Sequence, residues 1–175
     1  MKLLLIFCTF AISLALQQVA IAQPVVAAAR SSAVTSALLA QRVEVVEGKT
    51  VLKPAGQAKL GDLIEYSNTY RNGGTGAAEK LLATVPVPVG TTLVVGSLNP
   101  SKAQASTDGV QFAPIPLMRS MRQSDGTERK VPVPLSNYRA VRWDIGVLPP
   151  ESAVTVSLQV RIDVEAIKQA SSVRP

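Results

Sequence analysis

Histidine is absent from this 175-residue sequence, and cysteine occurs once, at Cys8. Without them the ordinary nucleophile–base pairs and the thiolate or imidazole metal sites cannot be assembled. Aromatic residues are scarce at 4%. Past the N-terminal segment only Phe112, Tyr66, Tyr70, Tyr138 and Trp143 remain, too few for a platform that stacks bases or sugars. The acids are scattered over alternating stretches and loops, which leaves no evident glycosidase pair in a sugar cleft. Asp62, Glu65 or Asp108 could offer oxygens to calcium, but no run of acids approaches a calcium loop, so solvated turn residues are the better reading. Neither an enzyme, a cofactor nor a metal site is expected.

Long apolar runs are also missing, apart from one at the start. Met1-Lys2, the run 3–16 and the small-residue site Ala20-Ile21-Ala22 have the three-part form of a secretory signal, with cleavage expected before Gln23. The run is shorter than the roughly 18–20 residues that span a bilayer, so no permanent membrane anchor is expected. Cys8 follows Leu5-Ile6-Phe7 rather than the small residues of a lipoprotein site, and should leave with the signal. The exported chain would then hold no thiol and would depend on an ordinary apolar core. Lys2 is the one charge in the signal, so the formal net charge falls from +6 to +5. That balance is basic, but it lacks the dense cationic stripe of a nucleic-acid binder. Periplasmic or extracellular placement is expected after export.

What is present is β-structure. Residues 23–38 are rich in Ala, Ser and Val without a firm period and read as a leader or tether. Residues 39–46 and 50–52 flank Glu47-Gly48-Lys49 as a short hairpin, and Pro54 with Gly56 marks a loop. Ile64, Tyr66, Asn68 and Tyr70 then share one face of a strand, against Glu65, Ser67, Thr69 and Arg71. Asn68 interrupts the inward row, and an edge or bulge position is the plainer explanation for a polar residue there. Asn72-Gly73-Gly74-Thr75-Gly76 tolerates positive φ; with no Lys-Ser or Lys-Thr opening a helix behind it, it reads as a turn between sheets rather than a phosphate cradle.

Pro86 and Pro88 place the strand over 81–89 at a sheet edge, because proline cannot donate to a ladder. Pro114-Ile115-Pro116 and Val131-Pro132-Val133-Pro134 read in the same way, as protected or extended connections. The β signal continues over 91–95. Residues 103–107 and 110–112 flank Asp108-Gly109, the strongest hairpin signal in the chain. Strands are expected over 140–145 and 153–162, the latter alternating Val154, Val156, Leu158, Val160 and Ile162 with Thr155, Ser157, Gln159 and Arg161. Short strands, frequent turns and no convincing helix predict an all-β chain forming a single immunoglobulin-like antiparallel β-sandwich over 39–163, with a tail at 164–175.

Several of these segments resemble one family. Gly61-Asp62-Leu63-Ile64-Glu65-Tyr66 with Asn72-Gly73, then Thr75-Gly76-Ala77-Ala78, Val87-Pro88-Val89-Gly90-Thr91-Thr92-Leu93 and Gly96-Ser97, are similar to the conserved-repeat domain, also called domain of unknown function 11. Val141-Arg142-Trp143-Asp144-Ile145-Gly146, Leu148-Pro149-Pro150 and the strand from Val154 extend the likeness, which covers roughly 43–162. The resemblance implies an immunoglobulin-like domain of exported bacterial and archaeal proteins, without an established activity, and transfers no catalytic residue. The sequence departs from that pattern in carrying a single copy, in Asn68 at a usually apolar position, and in Pro150-Glu151 where Pro-Gly-Glu is usual.

The segment 113–138 stands apart as an insertion between two β patterns. It carries Arg119, Arg122, Arg129 and Lys130 against only Asp125 and Glu128, mixed with Leu117, Met118 and Met121. Long connections in compact domains are commonly functional or disordered. The plainer expectation is an extra hairpin turning at Ser124-Asp125-Gly126-Thr127; the functional one is a binding surface with those four cations as contacts. The expected role is a non-catalytic exported module with a structural or protein-interaction role in the cell envelope, its partner an envelope or extracellular protein. The alternative is a binder of anionic envelope polymer through the basic insertion, whose affinity would fall steeply with salt.

Overall fold

The computed structural model describes residues 33–164. The signal at 1–22, the first part of the leader and all but the first residue of the expected tail lie outside them. Eleven strands follow one another: β1 (Val34–Val46), β2 (Lys49–Pro54), β3 (Leu63–Asn72), β4 (Ala78–Pro86), β5 (Thr91–Leu93), β6 (Gln104–Ser106), β7 (Ala113–Pro114), β8 (Met118–Arg122), β9 (Glu128–Pro132), β10 (Ala140–Leu148) and β11 (Ala153–Ile162). They form a five-stranded antiparallel sheet ordered β2-β1-β3-β11-β5, a four-stranded one ordered β4-β10-β6-β7, and the separate hairpin β8-β9. The fold is a β-sandwich, as the alternating patterns required.

Period-2 alternation decides which side of each strand is buried. Ile64, Leu93, Val156, Leu158 and Val160 from the larger sheet meet Ala83, Val85, Ala105, Val141 and Trp143 from the smaller one in a single cluster. Trp143 is almost wholly buried in that core and donates its indole N–H to the Pro100 carbonyl at 2.6 Å. Glu47 and Gly48, with φ of 51° and 75°, make a two-residue turn between β1 and β2. Positive φ at both positions is the type I′ geometry that matches strand twist.

Three expectations are corrected. The leader does not extend to residue 38, because 34–38 are already strand, paired from Val34 opposite Asn72 to Leu38 opposite Asn68. Cross-strand pairing overrides the weak local preference of an Ala- and Ser-rich stretch. Asn68 is neither at an edge nor in a bulge: β3 is flanked by β1 and β11 in unbroken register. Its amide donates to Tyr70 Oη at 3.0 Å and to the Thr84 carbonyl at 3.3 Å. Tyr70 Oη in turn donates to that carbonyl at 3.1 Å and accepts the Thr84 N–H at 2.9 Å. The two side chains therefore cover the backbone of β4 on its unpaired side.

Residues 110–112 are not a strand, since Asp108 Oδ1 accepts the amides of Val110 and Gln111, each at 2.8 Å, and withholds them from a ladder. The corner at 72–76 is the turn between sheets that was expected, but it uses no positive φ. It is held instead by Asn72, fully buried, whose Nδ2 faces the carbonyls of Gly76, Leu148 and Pro149 at 2.8, 3.0 and 3.2 Å and whose Oδ1 accepts the Gly74 N–H. One side chain thus ties the β3–β4 crossing to the β10–β11 crossing. Pro86 does end an edge strand: β4 lies at the margin of the smaller sheet, and β7 with Pro114 closes the other margin.

Candidate functional site

The insertion resolves into parts with different fates. Its first residues, β7, pair with β6, and Leu117 and Tyr138 near its ends are buried in the common core. Only β8 and β9 project. Tyr138, with no exposed surface, accepts the Leu117 N–H on its hydroxyl at 2.8 Å, while Val133 donates its N–H to the Leu117 carbonyl at 2.8 Å. These contacts clamp the base of the hairpin to the sandwich.

At the tip, Gln123 accepts the Gly126 N–H at 3.0 Å and donates its own to the Thr127 carbonyl at 2.8 Å, and Gly126 takes φ of 83°. That is a type I turn closed by a glycine bulge. The Thr127 hydroxyl, followed by its amide, lies against Asp125 and holds that carboxyl below the usual aspartate range. Asp125 is consequently a turn residue whose charge is engaged locally.

The register sorts the cations. Residues directly opposite one another in an antiparallel pair point to the same face. Arg119 opposite Val131 and Met121 opposite Arg129 therefore share one face; Ser120 opposite Lys130, Arg122 opposite Glu128, and Met118 opposite Pro132 share the other. Arg119, Arg122, Arg129 and Lys130 all lie on the hairpin and all are exposed, but two stand on each side of the ribbon. Glu128 offsets part of the charge on the side of Arg122 and Lys130. The side bearing Arg119 and Arg129 carries no acid and adds Met121 and Val131.

A second polar surface escaped the sequence reading. On the outer face of the smaller sheet, Thr84, Arg142, Gln104 and Pro114 form one row across four strands. An open trough of about 510 Å³ runs beside it, lined in part by Leu82, Lys102, Gln104, Arg142 and Asp144. The Arg142 guanidinium lies over the Phe112 ring, 3.9 Å from its centre, and donates to Gln104 Oε1 at 3.0 Å. Alternation along β10 was the available signal: with Val141 and Trp143 inward, Arg142 and Asp144 must face out. What the sequence did not show was that β6 and the 107–112 loop bring Gln104 and Phe112 to the same arginine.

The carboxylates considered for calcium are separated and individually occupied. Asp62 accepts the Lys59 N–H at 2.8 Å and faces Arg42, Glu65 accepts from Gln159 Nε2 at 3.0 Å, and the exposed Asp108 accepts hydrogen bonds from its own loop. The Ser106 hydroxyl, then the amides of Val110 and Gln111, hold the Asp108 carboxyl below its usual value. Among the described residues no three His, Cys, Asp or Glu side chains converge in a way that could hold a metal ion. No helix among them is long and apolar enough to cross a membrane.

No family model, no curated protein and no solved structure matches the chain. The class that fold and surface define is therefore an antiparallel β-sandwich carrying a projecting, cation-bearing hairpin.

Proposed function

We propose that this chain is a non-catalytic, exported module of the immunoglobulin-like kind, related to the conserved-repeat domains, which works in the cell envelope by binding a protein through the β8–β9 hairpin. The observation that carries the reading is the hairpin side formed by Arg119, Met121, Arg129 and Val131, held out from the sandwich by a buried clamp. Met and Arg are among the residues enriched where proteins bind one another, since a flexible thioether adapts to a partner surface and a guanidinium supplies forked donors. Export rests on the N-terminal signal pattern. The non-catalytic reading is supported by the lack of histidine and by the local engagement of Asp62, Glu65, Asp108 and Asp125 in hydrogen bonds.

Binding of an anionic envelope polymer is the second reading, favoured by the four hairpin cations and weakened by their division between two sides. A photo-crosslinker at Met121, compared in cells with one at Ser120, separates the two. Capture of one discrete protein from position 121, weakened about tenfold by Arg119→Ala or Arg129→Ala, is the expected result, as for contact arginines generally. Polydisperse polymer captured equally from both positions, and no longer captured when moderate salt is added before irradiation, would select the polymer instead. Capture from positions on the two sheets but from neither hairpin position would remove the hairpin from the function.

A further inference from the structure

Sheet edges present unpaired N–H and C=O groups to any strand that can reach them, and proteins ordinarily guard them with charge, proline, bulges or shortness. Nearly every edge here is guarded. β2 carries Lys49, Lys53 and Pro54; β4 carries Glu79, a left-handed Lys80 and Pro86, with Tyr70 and Asn68 over Thr84; β5 and β7 are three and two residues long. Two inner strands are also only partly covered: β10 pairs with β6 only to Arg142, and its open part carries Asp144 and the Gly146 irregularity, while β11 leaves just the four residues 153–156 open before the bridge at Ser157. The longest uncharged open stretch is the first half of β1.

β1 pairs with β3 from Val34 to Val43, but β2 reaches only Gln41 to Val46 on its other side. From 34 to 40 that other side faces no strand among the described residues. The window reads Val-Thr-Ser-Ala-Leu-Leu-Ala, with no charge, proline or glycine. Its side chains are open on both faces: Leu38, on the side turned toward the smaller sheet, is 48% exposed, and Leu39, on the outer side, 54%. The smaller sheet begins at β4 beneath β3 and does not extend under this half of β1.

We infer that this edge is the homodimer interface of the protein, with the 34–40 edges of two copies pairing antiparallel about a two-fold axis at Ala37. A closed two-fold contact needs a surface that complements itself, and this window does. Pairing centred on Ala37 sets Val34 opposite Ala40, Thr35 opposite Leu39 and Ser36 opposite Leu38, so no like charges meet. The register is bounded, because Pro54 of β2 already occupies the place beside Gln41 and stops a partner strand from sliding further. Small residues lie at the centre, and the two Leu38 side chains become diagonal neighbours, within reach of one another across the strand pair. The product is one ten-stranded sheet spanning both copies, built from two five-stranded ones. This inference does not depend on the hairpin reading.

The experiment is light scattering over a concentration series with the chain from Gln23 onward, which holds no cysteine of its own, together with two substitutions at the axis. Ala37→Cys places two thiols directly opposite each other at the Cα spacing a disulfide accepts, about 4.5–5.5 Å. We expect the mass of two chains for the unsubstituted protein, rapid disulfide-linked dimer from Ala37→Cys, and little from a control Val45→Cys. Ala37→Lys, which sets two ammonium groups face to face, should weaken the dimer by about tenfold or more. Trp143 fluorescence reports whether that variant remains folded, and if it does not, the cysteine pair still decides. A single-chain mass throughout, or a dimer that neither crosslinks at position 37 nor responds to lysine there, would overturn the inference.

Discussion

Asn68, Asn72 and Asp108 show what single polar side chains do for the backbone of this β-sandwich. Each spends its side chain on backbone groups that strands leave over: Asn72 on the carbonyls at the two sheet crossings, Asn68 on Thr84, Asp108 on the amides of its own loop. The sequence marked Asn68 as unusual but assigned it to an edge or bulge, and it read Asn72 only as part of a turn between sheets, because local pattern cannot tell which distant carbonyl an amide will meet. Glu151 holds φ of 58°, a left-handed conformation that few residues other than glycine adopt. Asp108 yields a pH prediction. Folding lowers its pKa, so its contribution is complete above the ordinary aspartate range and is lost as pH falls through the lower folded value. Asp108→Asn should therefore reduce the thermal midpoint near neutral pH, with the gap to the parent protein closing below about pH 4. Differential scanning fluorimetry across pH 2–8 measures it, and a gap that stays constant over that range would contradict the assignment.

Elements were legible where alternation was long and clean. β3 and β11 emerge with the inward rows expected of them, and the turn at Glu47-Gly48 joins β1 to β2 as its chemistry required. Proline likewise located the edge at β4. The insertion was legible as a hairpin through Ser124-Asp125-Gly126-Thr127, yet its anchoring was not, since Leu117 and Tyr138 carry no local sign that one hydroxyl will hold the other's amide. Tyr138→Phe tests that anchor. The substitution keeps the buried ring and strands the Leu117 N–H, a loss of about 1 kcal/mol. Hydrogen exchange should accelerate at Leu117 and along β8 and β9 while amides of β3 and β11 retain their protection. Uniform acceleration across both sheets would mean that the clamp belongs to the global fold rather than to the hairpin.

At the scale of the molecule, one core joins the sheets, and a polar tie reinforces it at the margin. Tyr70 Oη both donates to and accepts from the backbone of Thr84, linking β3 in one sheet to β4 in the other. Tyr70→Phe leaves a peptide group of an edge strand without its partner and should cost about 1–2 kcal/mol. Because the cluster is continuous, urea unfolding followed by Trp143 fluorescence and by circular dichroism should give coincident transitions shifted together. Separate transitions would show that the sheets unfold independently. The unguarded half of β1 belongs to this scale as well, for an edge exists only once the sheet order is set.

By itself the sequence determined the all-β class, the inward faces of the long strands, the edge position of β4 and the presence of an extra hairpin. These follow from alternation, proline and turn chemistry, which act within a few residues. The tertiary structure alone decided that β1 begins at Val34, that Asn72 and Asn68 fasten one sheet to the other, and that Arg142 sits over Phe112. It also decided that Arg119 and Arg129 part company with Arg122 and Lys130, because facing depends on register between strands and register is set by partners far along the chain.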